Sequence, residues 1–256
     1  MPFTDHFIEL GGSKLHLRRS GSGRPLVFLP GASGEPVVLP FMEKLATRFD
    51  VLVPDNPGYG QSDEPEWLEN IHDVAYFYLD LFAHLKLREV VLVGASMGGW
   101  MAMEIAVRNT SRLHSLMLVA PAGIRAPGVE PADIFLLPPE DMARRLFHDP
   151  KLVEQRLATP MSPEAIDLAL KNRHTTARLA WEPRLHDPYL AKWLHRIDVP
   201  VSIVWGAQDR ILPVGIGHEL KRLLPRAELH LIEACGHRPQ EEKAAEFCEL
   251  VFRLGR

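Results

Sequence analysis

The chain alternates short apolar runs with longer stretches of helical periodicity. The apolar runs predict buried strands at Leu15–Arg18, Leu26–Leu29, Val51–Val53, Val90–Val93, Leu116–Val119, Val201–Trp205 and Leu229–Ile232. Phe7–Leu10 precedes a Gly11-Gly12 turn and predicts an antiparallel edge strand. Helical patterns separate the later strands at Phe41–Arg48, Ile71–Leu85, Trp100–Arg108, Gly217–Leu224 and Glu241–Phe252. This alternation predicts an α/β fold, with a mostly parallel, twisted, eight-stranded sheet covered by helices on both faces.

One long stretch interrupts this alternation. Residues 123–198 contain no convincing strand pattern, and a structureless connection of that length is uncommon. Prolines beside acidic residues or after polar or acidic cap residues mark helix starts instead. They predict helices over Met142–Phe147, from Ser162 toward Trp181, and over Tyr189–Leu194. We therefore expect a core domain of residues 1–122 and 199–256 with a helical lid, residues 123–198, inserted in it. The alternative is a helical subdomain that covers no site.

Composition narrows the range of partners. The chain has 256 residues, 46% of them hydrophobic and 24% charged, with a formal net charge of −4. This balance gives no electrostatic reason to expect nucleic acid or an anionic membrane as a partner. No secretion signal or membrane-spanning run is visible, and Cys235 and Cys248 alone cannot build a disulfide framework. We expect a cytoplasmic protein that acts on a small molecule, with its oligomeric state open between monomer and homodimer.

The strongest chemical signal follows the strand Val90–Val93. There the chain reads Gly94-Ala95-Ser96-Met97-Gly98 and continues directly into an apolar helix. This Gly-x-Ser-x-Gly pattern between a strand and a helix is typical of a nucleophile elbow, a sharp turn that holds the serine out at the edge of the sheet. Glycines two residues on either side are needed because a Cβ there would meet neighbouring backbone. The pattern alone also fits an ordinary glycine-rich turn, but its context favours a catalytic Ser96.

Two further residues complete a hydrolytic pattern. A serine hydroxyl is a poor nucleophile at neutral pH and needs a base that is oriented by a third group. His237 lies in the loop after the last predicted strand, and Asp209 lies in the loop after Val201–Trp205. In a parallel sheet both loops leave the same edge as Ser96. The order serine, aspartate, histidine is typical of enzymes with this serine motif. Asp198 is the alternative acid, although it precedes that strand.

Together with two other loops, these motifs resemble the α/β-hydrolase superfamily over nearly the whole chain. The loops are Leu29–Ala32 after the third strand and Asp55–Asp63 after the fourth. The resemblance implies an oxyanion hole made by the backbone N–H groups of Met97 and Ala32, which would stabilise negative charge during acyl transfer. Many members carry histidine where this chain has Pro30, so a side-chain hydrogen bond that could brace the loop is missing. We expect no metal ion and no organic cofactor.

The resemblance leaves several reactions open. A serine at the elbow argues against the aspartyl-ester chemistry of similar dehalogenases and epoxide hydrolases. Gly31–Gly34 is similar to part of the oxyanion loop of carbon–carbon bond hydrolases that act on ring-cleavage products. Those enzymes usually carry asparagine and tryptophan where this chain has Ala95 and Arg238. The preferred interpretation is a serine hydrolase of carboxylic esters that acts through an acyl-serine. The alternatives are the carbon–carbon bond hydrolase, a thioesterase, and a ligand receptor that retains the fold.

The predicted lid offers candidate substrate-binding residues. Phe135 and Trp181 carry large apolar side chains that could line an acyl pocket, although packing inside the lid is the alternative. Arg173 and Arg178 lie on one predicted helix and could bind a substrate carboxylate, although a solvated helix face would carry the same charges.

Overall fold

The computed structural model describes residues 2–256 and contains the predicted strands. They are β1 Thr4–Leu10, β2 Ser13–Gly21, β3 Arg24–Leu29, β4 Phe49–Pro54, β5 Val90–Ala95, β6 Leu113–Val119, β7 Val201–Gly206 and β8 Glu228–Ile232. Within the described residues they form one sheet in the order β1-β2-β4-β3-β5-β6-β7-β8. Strand β2 is antiparallel to β1 and β4, and every other pairing is parallel. The predicted α/β fold is confirmed.

Helices cover both faces of this sheet. Their bounds are α1 Pro40–Leu45, α2 Ile71–His84, α3 Met97–Arg108, α4 Pro139–Leu146, α5 Pro150–Ala158, α6 Pro163–Ala180, a 3₁₀ helix Leu190–Arg196, α7 Gly215–Leu223, α8 Pro239–Glu242 and α9 Ala244–Leu254. Helices α1 and α9 pack in one apolar layer, while α2, α3 and α7 pack in the other. Strands β5, β6 and β7 lie between the layers, which is why their sequences are almost continuously apolar.

Two helix predictions differ from the structure. The predicted helix Glu241–Phe252 is two helices, α8 and α9, because the backbone of Lys243 leaves the helical region at φ −131° and ψ 47°. The segment predicted as a helix over Tyr189–Leu194 forms the 3₁₀ helix, whose end is closed by a hydrogen bond from Ile197 N to Leu194 O at 3.0 Å. Among residues 2–256, no helix is both long enough and apolar enough to span a membrane.

The segment between β6 and β7 is helical, as its start signals predict. Ser162 caps α6 by accepting a hydrogen bond from Ala165 N at 3.2 Å, with Pro163 as the first helical residue. Helix α5 was not predicted, although Asp149 begins it with the same kind of cap, to Lys151 N at 2.9 Å. Helices α4, α5, α6 and the 3₁₀ helix therefore lie between β6 and β7.

A buried ion pair ties the loop after β4 to β2. Arg18 Nη2 lies 3.1 Å from Asp55 Oδ1, and both side chains are only 7% exposed. The other oxygen, Asp55 Oδ2, lies 2.8 Å from His16 Nδ1 and accepts a hydrogen bond from Gln61 N at 2.9 Å. A buried carboxylate with several donors holds its loop firmly in place against β2.

Replacing Asp55 with asparagine should lower the free energy of unfolding by about 3–5 kcal/mol, because the buried Arg18 guanidinium loses its counter-charge. The matched control is Asp50→Asn, which breaks the Arg19–Asp50 pair between β2 and β4, where Arg19 is 43% exposed. That change should cost at most about 1 kcal/mol, since exposed pairs contribute little. Urea unfolding followed by circular dichroism measures both. Equal losses would contradict the importance of burial at Arg18.

Candidate active site

Ser96 lies in a strained turn between β5 and α3. Its backbone has φ 53° and ψ −118°, a region that residues other than glycine rarely adopt. Two hydrogen bonds to the neighbouring strand β6 and the residues after it hold this conformation: Ser96 N donates to Val119 O at 2.8 Å, and Ser96 O accepts from Ala122 N at 3.0 Å. The side chain is therefore held at the end of β5, beside the first turn of α3.

The surrounding backbone explains the glycine spacing. A Cβ on Gly94 would overlap the carbonyl oxygen of Gly98, and a Cβ on Gly98 would overlap the carbonyl oxygen of Leu29. The second contact joins the elbow to the end of β3, whose register places Leu29 opposite Gly94. The two glycines thus allow the strand, the helix and the next loop to meet around Ser96, as the steric argument from the sequence predicts.

The loops after β7 and β8 bring Asp209 and His237 to Ser96. His237 Nε2 lies 3.0 Å from Ser96 Oγ, and His237 Nδ1 lies 2.7 Å from Asp209 Oδ2. The parallel register brings these loops together, with Gly206 at the end of β7 opposite Ile232 at the end of β8. Three side chains from distant parts of the chain therefore form one hydrogen-bonded series.

The surroundings of Asp209 orient the imidazole. Its side chain is fully buried, and its Oδ1 accepts hydrogen bonds from Ile211 N at 2.8 Å and Leu212 N at 2.9 Å. The remaining oxygen accepts the Nδ1–H of His237, which leaves Nε2 free to accept the proton of the Ser96 hydroxyl. The alternative acid, Asp198, lies elsewhere and accepts a hydrogen bond from Thr110 Oγ1 at 2.5 Å.

The histidine loop is anchored by residues that the sequence did not identify. Glu242 Oε2 accepts from Gly236 N at 2.5 Å, and Gln208 Oε1 accepts from Cys235 N at 3.0 Å. His237 N itself donates to Leu146 O in α4 at 2.8 Å. The local sequence does not indicate these partners, because they come from other segments that meet the histidine loop only in the folded chain.

Two backbone N–H groups beside Ser96 have no protein partner. The loop after β3 passes so close that a Cβ on Gly31 would lie 3.1 Å from the Ser96 Cβ. Across residues 2–256, neither Met97 N nor Ala32 N donates a hydrogen bond to a protein atom. Met97 is fully buried, so its N–H is a buried donor available to a bound group. These are the two donors that the resemblance implies.

The predicted substrate-binding residues separate into two groups. The rings of Phe135 and Trp181 meet edge to face at 5.2 Å between centroids, and Arg173 Nη2 donates to Phe135 O at 2.6 Å. Arg184 lies over the Trp181 ring at 4.0 Å. Arg178, in contrast, pairs with Glu64 at 2.9 Å. Within the described residues, no hydrogen bond or ring contact links either group directly to Ser96, Asp209 or His237.

The position after the histidine is occupied by an ion pair. Arg238 Nη2 lies 2.5 Å from Glu35 Oε2, and Arg238 Nε contacts Glu241. Glu35 follows the Gly31–Gly34 loop, so this pair joins the two loops that meet at Ser96. The cationic side chain of Arg238 is therefore already neutralised by two carboxylates.

One cluster in the described chain has the composition of a metal site. Single ligand atoms of His72, Glu104 and Asp187 lie within 4.8 Å of one another. However, the Glu104 carboxylate already accepts a hydrogen bond from Trp100 Nε1 at 3.1 Å and pairs with Arg108 Nη1 at 2.5 Å. A carboxylate neutralised in this way fits an ion-pair network that joins α2, α3 and the inserted segment better than it fits a metal ligand.

Comparison with known proteins agrees with this architecture. The family model for the alpha/beta hydrolase fold matches residues 24–244. A 2-hydroxymuconate semialdehyde hydrolase from Pseudomonas sp. strain CF600 is 28% identical, over 95% of this chain and 91% of that protein. Among solved structures, a bacterial membrane phospholipase A superposes with a TM-score of 0.83 at 22% identity, over 98% of this chain and 85% of that one. An esterase from Rhodococcus sp. ECU1013 superposes with a TM-score of 0.74 at 20% identity, over 100% and 98%. Because the family model covers most of its length, the chain belongs to the alpha/beta hydrolase fold family and is a hydrolase.

Proposed function

We propose that this hydrolase cleaves carboxylic esters of small molecules through an acyl-serine. The observation that carries the proposal is the hydrogen-bonded series Ser96–His237–Asp209, at 3.0 and 2.7 Å, beside two unpaired backbone donors. In this proposal Ser96 is the nucleophile, His237 the general base and acid, and Asp209 the group that orients the imidazole. Met97 N and Ala32 N form the oxyanion hole.

The reaction follows from this arrangement. Ser96 Oγ attacks the ester carbonyl carbon while its proton passes to His237 Nε2. The resulting oxyanion accepts hydrogen bonds from the backbone N–H groups of Met97 and Ala32. His237 then gives the proton to the leaving alcohol, and the carbon–oxygen bond breaks to leave an acyl group on Ser96. A water molecule, deprotonated by His237, then attacks the acyl carbonyl carbon; the bond to Ser96 Oγ breaks, His237 returns the proton to that oxygen, and the carboxylic acid leaves.

Hydrolysis of a carbon–carbon bond is the second candidate. The 2-hydroxymuconate semialdehyde hydrolase relative, aligned over 95% of this chain, favours it. Two positions argue for the ester reaction instead. Ala95 precedes the nucleophile, and Arg238 after the histidine is held in its pair with Glu35. A thioester substrate uses the same acyl-serine chemistry and belongs in the same test.

We propose that residues 123–198 form a lid that selects the substrate. In helix α4 of this segment, the carbonyl oxygen of Leu146 accepts a hydrogen bond from the backbone N–H of His237, so the segment lies against the site. Within it, Phe135, Trp181 and Arg173 are proposed to line the pocket, since they form one contiguous cluster. Arg178 is the weakest member of the proposed set because its charge is neutralised by Glu64.

We also propose a cytoplasmic location. Cys235 and Cys248 are free and buried. Burial raises the pKa of Cys235 to about 12 and that of Cys248 to about 11, so both remain protonated thiols. Unpaired cysteines are usual in a reducing compartment. Fractionation of cells that produce the protein under its own promoter tests this location.

The reaction is tested by profiling the wild-type protein on matched ester, thioester and vinylogous diketone substrates, with Ser96→Ala as the blank. We expect ester hydrolysis to exceed the other activities. Ser96→Ala and His237→Ala should each lower kcat by about 10⁴–10⁶, because triad members act as a unit. A serine-directed phosphonate should label the wild-type protein and spare Ser96→Ala. Faster cleavage of the diketone would instead favour the carbon–carbon bond hydrolase.

The role of the acid is tested by a pair of matched substitutions. Asp209→Asn should lower kcat by about 10⁴, because the amide no longer accepts the Nδ1–H and the imidazole adopts the wrong tautomer. Asp198→Asn makes the same chemical change at the alternative acid and should leave kcat within about twofold, because its carboxylate bonds with Thr110 and not with His237. The reverse pattern would assign the role to Asp198.

Specificity is tested at two tryptophans of the inserted segment. Trp181 and Trp193 are both 47% exposed, but only Trp181 packs on Phe135. Trp181→Ala should change the ratio of kcat/KM between short and long acyl esters by about tenfold or more, since each lost methylene contact is worth about 1–3 kcal/mol. Trp193→Ala should leave that ratio unchanged. A uniform loss on all esters together with a lower melting temperature would mean that Trp181 only stabilises the segment.

A further inference from the structure

The carbonyl groups of the loop after β3 are each held by a hydrogen bond. Pro30 O, Gly31 O, Ala32 O and Ser33 O accept respectively from Asn56 Nδ2 at 3.4 Å, Gly34 N at 2.9 Å, Thr176 Oγ1 at 2.8 Å and Asn172 Nδ2 at 2.7 Å. Two of these donors, Asn172 and Thr176, are one helical turn apart on the same face of α6. The inserted helix therefore contacts the backbone of the loop that carries Ala32.

These bonds fix the direction of the Ala32 N–H. In a planar trans peptide, the carbonyl of Gly31 and the N–H of Ala32 point to opposite sides. The hydrogen bond from Gly34 N holds the peptide group before the Ala32 Cα, and the one from Thr176 Oγ1 holds the peptide group after it. With both groups held, the backbone of Ala32 has little freedom to rotate its N–H away.

A buried tyrosine sets the direction of the Thr176 hydroxyl. Tyr59 Oη lies 2.8 Å from Thr176 Oγ1, and its only other neighbour within hydrogen-bond range among residues 2–256 is the weak acceptor Met97 Sδ at 3.9 Å. Because Thr176 Oγ1 is the stronger of these two acceptors, the Tyr59 phenol donates its hydrogen bond to it. Burial also raises the pKa of Tyr59 well above its ordinary value, so the phenol keeps its proton. The Thr176 hydroxyl accepts this hydrogen bond and therefore directs its own proton to another acceptor.

Two carbonyls compete for the Thr176 proton. Asn172 O lies 2.8 Å from Thr176 Oγ1, but as a helical carbonyl it also accepts the backbone N–H four residues later. Ala32 O lies at the same distance, and across the described chain it has no other donor. Because a buried carbonyl left without a partner is costly, Ala32 O is the acceptor that the hydroxyl satisfies.

We propose that Thr176 is a positioning residue, which aims the Ala32 N–H at the oxyanion through its hydrogen bond to Ala32 O. The inference rests on the proposed function, which makes Ala32 N an oxyanion donor. Pro30 has no side chain that could brace this loop by a hydrogen bond. In this proposal Thr176 of the inserted helix supplies that bond instead.

Among residues 2–256, side-chain hydrogen bonds from α6 to the core are confined to the second half of the helix. The half from residue 171 onward is fixed to the core: Lys171 Nζ donates to Gly60 O at 2.8 Å, and Thr175 Oγ1 donates to Gly58 O at 2.7 Å. The half before it is largely exposed, including Ile166 and Leu170. The second half of α6 is therefore anchored to the loop after β4, and Thr175 belongs to this anchor rather than to the loop that carries Ala32.

The test compares two valine substitutions on neighbouring residues of α6. Thr176→Val removes the hydroxyl, keeps the shape and should lower kcat for esters about tenfold or more, with KM within about twofold; loss of a whole oxyanion donor costs about 10²–10³. Thr175→Val removes an equally buried hydrogen bond, to Gly58 O, that does not involve the oxyanion loop. It should lower the melting temperature by a similar amount and keep kcat.

Two further readouts separate positioning from stability. Thr176→Ser restores the hydroxyl and should return kcat to within about twofold of wild type. The inhibition constant of a trifluoromethyl ketone, whose adduct with Ser96 carries an oxyanion, should rise in Thr176→Val in proportion to the loss in kcat. The rate of phosphonate labelling of Ser96 should fall in Thr176→Val and stay unchanged in Thr175→Val.

The outcomes are distinguishable. Unchanged kcat in Thr176→Val, an equal loss in Thr175→Val, or no recovery in Thr176→Ser overturns the positioning role while the wild-type enzyme still hydrolyses esters. A wild-type protein that neither reacts with the phosphonate at Ser96 nor hydrolyses an ester overturns the proposed function, and the inference with it.

Discussion

The site depends on one steric constraint, the close approach of three backbone segments around Ser96. The end of β3, the elbow itself and the first turn of α3 meet where Gly94 and Gly98 leave no space for a side chain. This packing holds Ser96 at a positive φ that an isolated turn would not keep, so the strain is maintained by the sheet on both sides. The serine, the adjacent N–H of Met97 and the loop that carries Ala32 are brought together by the same contact.

Polar anchors hold the other side chains of the site. Asp209 is buried, yet backbone N–H groups satisfy one of its oxygens and leave the other for His237. The loop that carries His237 is in turn held by the side chains of Glu242 and Gln208, which accept hydrogen bonds from its backbone N–H groups. Each group is oriented before any substrate arrives, and such preorganisation is what acyl-transfer chemistry requires of an enzyme.

The inserted segment combines attachment with exposure. Its α6 helix is bound to the loops after β3 and β4 by several side-chain hydrogen bonds, whereas the first half of that helix presents apolar side chains to solvent. A segment fixed at one end and exposed at the other is suited to keep the catalytic geometry constant while the outer surface varies.

The strands, the elbow and the loops that carry the three polar residues could be predicted from the sequence, because their signals are local: apolar runs, glycine spacing, and loops at the ends of strands. The order of the strands in the sheet could not. The residues that orient the site could not, because their partners are far away in the chain. Thr176 lies 144 positions from Ala32, and Arg238 lies 203 positions from Glu35. The start signal at Ser162 identified α6 as a helix but did not indicate which face would meet the oxyanion loop, and the helical pattern of Glu241–Phe252 did not show the break at Lys243. Local patterns determine elements, whereas pairing between distant polar groups is decided only when packing removes water and each buried donor must find an acceptor.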